Sequence, residues 1–149
     1  MKNYRKYIQR LSIFRVSLMA NIVASAFLGF LYAFFDYHIE ELSNFQFMSS
    51  FFPWIILFSL FFIPNMFIHY NRPILAIANT VFGLTVEDLS YWFWADSVAY
   101  SWSVLYPVVF GVPIDDIFGL IASGILYYLA WKLMAIKIKK EIRYNKVGI

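Results

Sequence analysis

Val16-Ser-Leu-Met-Ala-Asn-Ile-Val-Ala-Ser-Ala-Phe-Leu-Gly-Phe-Leu-Tyr-Ala-Phe-Phe35 is a run of twenty residues without a charge. A helix rises 1.5 Å per residue, so about 20 apolar residues cross a hydrocarbon core of ~30 Å. The run is too long for the apolar part of a secretory signal, and no convincing small-residue cleavage site follows it. It reads as a span that stays in the bilayer. Ala20 and Ala24, then Ser25 and Gly29, recur at four-residue spacing, a pattern that lets helix backbones approach closely.

Three further stretches of the same kind follow. Spans are expected at about 16–35, 47–69, 73–95 and 114–136. Pro53 falls near the start of the second, where a missing N–H matters little, and Pro64 falls late, where it should kink the helix. Asn65 is the candidate to repair the carbonyl that Pro64 frees. His69-Tyr-Asn-Arg-Pro73 makes a short turn, with Pro73 suited to the first position of the third helix. Ala122, Ser123 and Gly124 offer a second close-packing face, on the fourth span.

Composition agrees. The chain of 149 residues is 62% hydrophobic, 22% aromatic and only 14% charged, against about 45–50% apolar and ~25% charged in soluble domains. The charges are sorted by position. Lys2, Arg5, Lys6, Arg10 and Arg15 crowd one end, and Lys132, Lys137, Lys139, Lys140, Arg143 and Lys146 the other. Between Val16 and Trp131 the only basic residue is Arg72, and eight of the nine acidic residues lie in that interval. Basic residues mark cytoplasmic segments. The fold class expected is therefore all-α: an integral membrane four-helix bundle forming a single domain over 1–149, multi-pass in the cell membrane, with both termini cytoplasmic. The basic ends are topology signals that also touch anionic headgroups; they do not indicate nucleic-acid binding. The partners expected are the lipid bilayer and other membrane subunits or a second copy of the chain.

Residues 1–15 read as an amphipathic lead-in to the first span, 36–46 as an acidic outer loop carrying Asp36, His38, Glu40 and Glu41, and 96–112 as an interfacial or re-entrant outer segment rich in aromatic residues. A fifth span there would place the basic C-terminus outside.

The chemistry lies in two similar patches. Phe82-Gly-Leu-Thr-Val-Glu-Asp-Leu89 and Phe110-Gly-Val-Pro-Ile-Asp-Asp-Ile117 share a Phe-Gly-x-x-(Val/Ile)-(Glu/Asp)-Asp-(Leu/Ile) pattern. Glu87 lies ~21 Å along the third helix from Pro73, below the outer headgroups. An ionised carboxylate at such depth costs about 2.5–3.5 kcal/mol or more, so it should face the interior, be protonated or be paired. Thr80, Gly83, Glu87, Tyr91 and Trp94 share one sector of that helix, with Asp88 turned ~100° away. The third span ends and the fourth begins on the same side, so Glu87, Asp88, Asp115 and Asp116 are expected to converge near the outer face. No basic residue in that half can neutralise them.

Such a cluster can share protons, reach water or bind a cation. Read as a metal site, Glu87, Asp88, Asp115 and Asp116 would supply oxygen ligands to a divalent cation, with His38 as an addition. Read as an acid–base site, the same four carboxyls would act as catalytic residues on an apolar substrate. Tyr91, Trp92, Trp94 and Trp102 would then line the substrate cleft. Asp115 and Asp116, just after Pro113, also suit an ordinary helix N-terminus. A non-catalytic subunit of a larger membrane complex is the third possibility, since seventeen Phe residues fit lipid- or partner-facing surfaces. The chain has no cysteine and only two histidines, which leaves no iron–sulfur cluster and no haem ligand pair. There is no Gly-rich phosphate loop, nucleophile elbow or His-Glu-x-x-His helix.

Gly111-Val-Pro-Ile-Asp-Asp116, and in looser form Gly83-Leu-Thr-Val-Glu-Asp88, resemble the Pro-x-(Glu)-(Glu/Asp) signatures of the membrane-embedded lycopene cyclase domain. The resemblance implies acidic residues that protonate an isoprenoid chain without a metal; here Asp115 stands where Glu is usual. The stretch Phe82–Phe118 also resembles small, uncharacterised prokaryotic tetraspan membrane proteins, which carry Glu-Asp in a span, an aromatic-rich loop and a Gly-(Ile/Val)-Pro turn. That second resemblance implies a structural unit and no activity.

Overall fold

The computed structural model describes residues 2–43, 51–94, 108–109 and 112–147. It is all-helical. Helix α1 spans Lys2–Ser43, α2 Phe51–Ile68, α3 Pro73–Trp94 and α4 Ile114–Val147. Two short strands, β1 (Val108–Val109) and β2 (Val112–Pro113), pair antiparallel just before α4. The remainder of the expected 96–112 outer segment, and residues 44–50 ahead of α2, lie outside the described residues.

Helix α3 is the hub, because α1, α2 and α4 all pack against it. Its sequence explains why. Leu75, Ala76, Ala78, Asn79, Thr80, Thr85, Glu87 and Asp88 are all buried, so apolar and polar residues alike point inward around most of its circumference. The start of α3 is set by Pro73, as expected, together with Arg72 before it. Arg72 caps the helix, its carbonyl accepting from the N–H groups of Leu75 and Ala76 at 2.9 and 3.1 Å. Pro73 occupies the first helical position, where its missing N–H is no loss.

Small residues set the helix spacing. A Cβ on Gly29 of α1 would meet the Gly83 carbonyl oxygen of α3, and would lie 3.0 Å from the Glu87 nitrogen and 3.1 Å from Val86 Cβ. Ser25, Gly29 and Ala33 therefore form the contact stripe of α1. Ala20 and Ala24, which share the same spacing, face outward. On α4, Ser123 is buried, whereas its neighbours Ala122 and Gly124 are exposed. The close approach there falls one turn earlier, at Gly119, where a Cβ would run into the Thr85 side chain.

A polar node ties the four helices together. Asn79 Nδ2 of α3 donates to Asn21 Oδ1 of α1 and Asn65 Oδ1 of α2, both at 3.1 Å, while Tyr127 Oη of α4 donates to Asn79 Oδ1 at 3.0 Å. Each outer Asn is itself anchored, Asn21 to the Ser17 carbonyl and Asn65 to the Phe61 carbonyl. Asn65 was expected to repair the carbonyl freed by Pro64, which is that of Leu60, four residues earlier. Its side chain instead bonds Phe61, which also receives the Thr80 hydroxyl at 3.5 Å.

One expectation about segments changes: residues 36–43 are the last turns of α1, not a loop. Residues 2–15 run into the first apolar run as one continuous helix, as the lead-in reading has it. Glu40 and Glu41 are good helix formers, and nothing in the stretch breaks the ladder until after Ser43. At 1.5 Å per residue α1 is about 63 Å long and α4 about 51 Å. Their basic ends run side by side, with Arg10 and Glu141 paired at 3.0 Å. That pair is exposed and worth little to stability.

Candidate functional site

The acidic residues of α3 and α4 meet across one helix interface. Thr85 and Gly119 bring the two backbones close. Asp88 lies three residues after Thr85 and Asp116 three residues before Gly119, so each is one helical turn from the contact. The antiparallel run of α3 and α4 carries both to the same level. Their carboxyls are close enough to interact electrostatically, and both are buried, Asp88 7% and Asp116 3% exposed. Two buried carboxyls this close are least costly when one of them holds a proton, because like charges away from water repel. Asp115, next in chain, is exposed and within electrostatic range of Asp116.

Glu87 is also buried, at 1% exposure. The sequence places Glu87 and Asp88 ~100° apart on the helix, yet both are interior because α1 and α4 cover adjacent faces of α3. The Glu87 backbone faces Gly29 of α1, while Asp88 faces α4. Asp88 and Asp116 are neighbours across the interface, exposed Asp115 lies within electrostatic range of Asp116, and buried Glu87 adjoins Asp88 in the chain.

Aromatic rings cover the next turn of α3. Trp94 packs on Phe30 and Phe34 of α1, with ring centroids 5.1 and 5.0 Å apart. Tyr91 lies edge-on to Tyr37 at 6.1 Å. Trp94 Nε1 and Asp116 Oδ2 are buried without a hydrogen-bond partner among the described residues. His38 stacks on Phe34 at 4.2 Å, and its Nδ1 donates to the Phe34 carbonyl at 2.8 Å, which fixes the tautomer with the proton on Nδ1. The side chain of Trp92 and all of Trp102 lie outside the described residues. Among the described residues, no group of three or more His, Asp or Glu is arranged to hold a metal ion.

At the opposite end of α3, His69 sits in the α2–α3 turn. Its imidazole is held below the ordinary histidine pKa, first by burial and then by the Arg72 guanidinium.

The Gly119 stripe and the Asn79 node are the parts that the sequence reading missed. Gly119 and Ser123 carry the same small-xxx-small spacing as Ser25 and Gly29, so that signal was present. Asn21, Asn65 and Asn79 each stand in an apolar run, where a buried amide calls for a hydrogen-bond partner.

No known family, curated protein or solved structure is detectably similar to this chain.

Proposed function

We propose that the chain is a polytopic integral membrane protein, a four-helix bundle with both termini in the cytoplasm. Near its outer face, it carries an acid–base site that acts on an apolar substrate dissolved in the bilayer. The observation that carries the chemistry is the buried Asp88–Asp116 pair. Two adjacent buried carboxyls that hold one proton between them can release it in a dry site and take one back, which is the pattern of paired acids with opposed roles.

The membrane part draws on two features. Arg5–His38 and Ile114–Tyr144 are long and apolar enough to cross a bilayer, and only 17% of each apolar window is buried within the protein. Core helices of a soluble protein would bury most of theirs. Charge supports the same orientation. All twelve basic residues fall at the start of α1, in the α2–α3 turn or toward the end of α4. Membrane insertion then explains outward-facing Val16, Met19, Val23, Phe27, Ile125 and Leu133.

In this reading Asp116 or Asp88 protonates a carbon–carbon double bond of an unsaturated lipid. The proton leaves the carboxyl, a C–H bond forms, and the alkene π-bond becomes a carbocation. Aromatic faces at Tyr91 and Trp94 stabilise that charge. Loss of a proton from a neighbouring carbon to the ionised carboxylate restores neutrality. The site is thereby returned to its starting state, without a redox partner. The burial of Asp88 and Asp116 away from exposed Asp115 supports this reading over a divalent cation.

The test uses purified protein in liposomes carrying isoprenoid alkenes, in deuterated water. Carbon-bound deuterium should appear in the lipid by mass spectrometry and be lost in Asp116→Asn. No incorporation, or equal incorporation in the variant, would refute the reading. Because the chain has no cysteine, single reporters can map orientation cleanly. Asn3→Cys and Asn145→Cys should label only from the cytoplasmic side, Asn44→Cys and Ser101→Cys only from outside.

A further inference from the structure

The basic end of the molecule contains a cleft that the acid site does not use. It lies where α1, the start of α3 and α4 meet, with a volume of about 190 Å³. Phe14, Ile74, Leu133 and Met134 give it apolar walls, and Arg72 and Lys137 stand at it from two different helical segments. Arg72 is held in place, its guanidinium carbon 5.4 Å from the centre of the Phe14 ring. Both cations are exposed, and among the described residues neither has a carboxylate within ion-pair distance. Glu141 is the sole acidic residue on this side of the chain, and it is paired with Arg10.

We infer that this cleft binds the phosphate headgroup of an anionic phospholipid of the inner leaflet, with the upper acyl chain against its apolar wall. The inference rests on the membrane orientation proposed above. An unneutralised Arg–Lys pair is opposite in sign to a phosphodiester and more than offsets its single charge. Arginine offers a forked donor set to phosphate oxygens, and lysine a point charge. The floor is the first turn of α3, whose dipole adds positive potential in the same place. An apolar wall beside the charges is what distinguishes a lipid from a free anion. A basic pocket between spans on the cytoplasmic side is where headgroups of anionic lipids are expected to dock.

The experiment follows thermal unfolding of detergent-solubilised full-length protein. Phosphatidylglycerol, phosphatidylcholine and inorganic phosphate are titrated separately. Wild type should be stabilised saturably by phosphatidylglycerol and not by the other two. Each juxtamembrane charge contributes about a five-fold change in affinity. Lys137→Gln should therefore raise the half-saturating lipid concentration roughly 5-fold, and Arg72→Gln/Lys137→Gln roughly 25-fold. Arg72→Lys keeps the charge and should retain most of the response. An equal response to phosphatidylcholine or to inorganic phosphate would overturn the assignment, as would an unchanged response in the double variant. Both proteins are first tested for resistance to alkaline extraction from membranes. Extraction of wild type would reject the membrane reading itself. Retention with an unaltered lipid response would reject only the lipid site.

Discussion

Replacing Gly29 by alanine tests the packing that holds the acid site. The added methyl carbon would be placed 3.0 Å from the Glu87 backbone nitrogen and 3.1 Å from Val86 Cβ, and closest of all to the Gly83 carbonyl oxygen. Ordinary carbon contacts begin near ~3.5 Å. Two of these three neighbours are backbone atoms and cannot rotate away, so α1 and α3 must separate by up to about an ångström to clear the Gly83 oxygen. A gap of ~0.5–1 Å forfeits about a quarter to a half of the dispersion energy of each contact along the seam, and overpacking of this kind costs about 1–3 kcal/mol. Alanine also favours the helix over glycine by roughly 0.8–1.0 kcal/mol. Gly124→Ala removes that ambiguity, because a Cβ there meets nothing within 4 Å. Both variants gain the same helix propensity, so their difference isolates the clash. Gly29→Ala should be about 1–3 kcal/mol less stable than Gly124→Ala, read by denaturant unfolding in detergent with tryptophan fluorescence. Equal stability of the two would refute the α1–α3 contact.

Further outcomes follow from other parts of the molecule. Asn79→Ala removes the hub of three interhelical hydrogen bonds. At ~0.6 kcal/mol for each such bond in a membrane protein, it should lose about 2 kcal/mol, whereas Asn71→Ala, at an exposed position, should lose almost nothing in the same unfolding assay. Gly119→Ala should push α4 off Thr85 and weaken the Asp88–Asp116 contact, lowering deuterium incorporation without touching either carboxyl. His69 binds its proton more weakly in the folded protein than in the unfolded chain, because of burial and then Arg72. Protonation therefore favours unfolding: stability is full above the ordinary histidine pKa of about 6.5 and falls as pH drops through the lower folded value. His69→Gln should flatten that part of the stability profile.

The helical register of this chain was written plainly in places where chemistry leaves one choice. Pro73 could begin a helix and could not sit in its middle, whereas the capping by the Arg72 carbonyl is visible only in the structure. Residues at 114–147 form one helix because no proline or glycine pair interrupts them after Pro113. The acids at 36–41 misled because charge alone suggests a loop, yet glutamate is comfortable in a helix that continues past the apolar run. The choice between Ala20–Ala24 and Ser25–Gly29 was beyond spacing, since both stripes offer small residues and only the position of α3 selects between them. The same holds for Glu87 and Asp88. Helical geometry separates them by ~100°, and whether one or both are interior depends on how many helices surround α3. The Asp88–Asp116 contact required Gly119, whose role appears only once Thr85 is seen across from it.

The shared proton is the claim on which the proposed chemistry depends. Infrared spectra of wild type, Asp88→Asn and Asp116→Asn, each reconstituted in lipid at neutral pH, read it directly. Carbonyl-stretch intensity from protonated carboxyls should be present in wild type and fall in both variants, any contribution of buried Glu87 being common to all three. Its absence from wild type would show both acids ionised and would contradict the account.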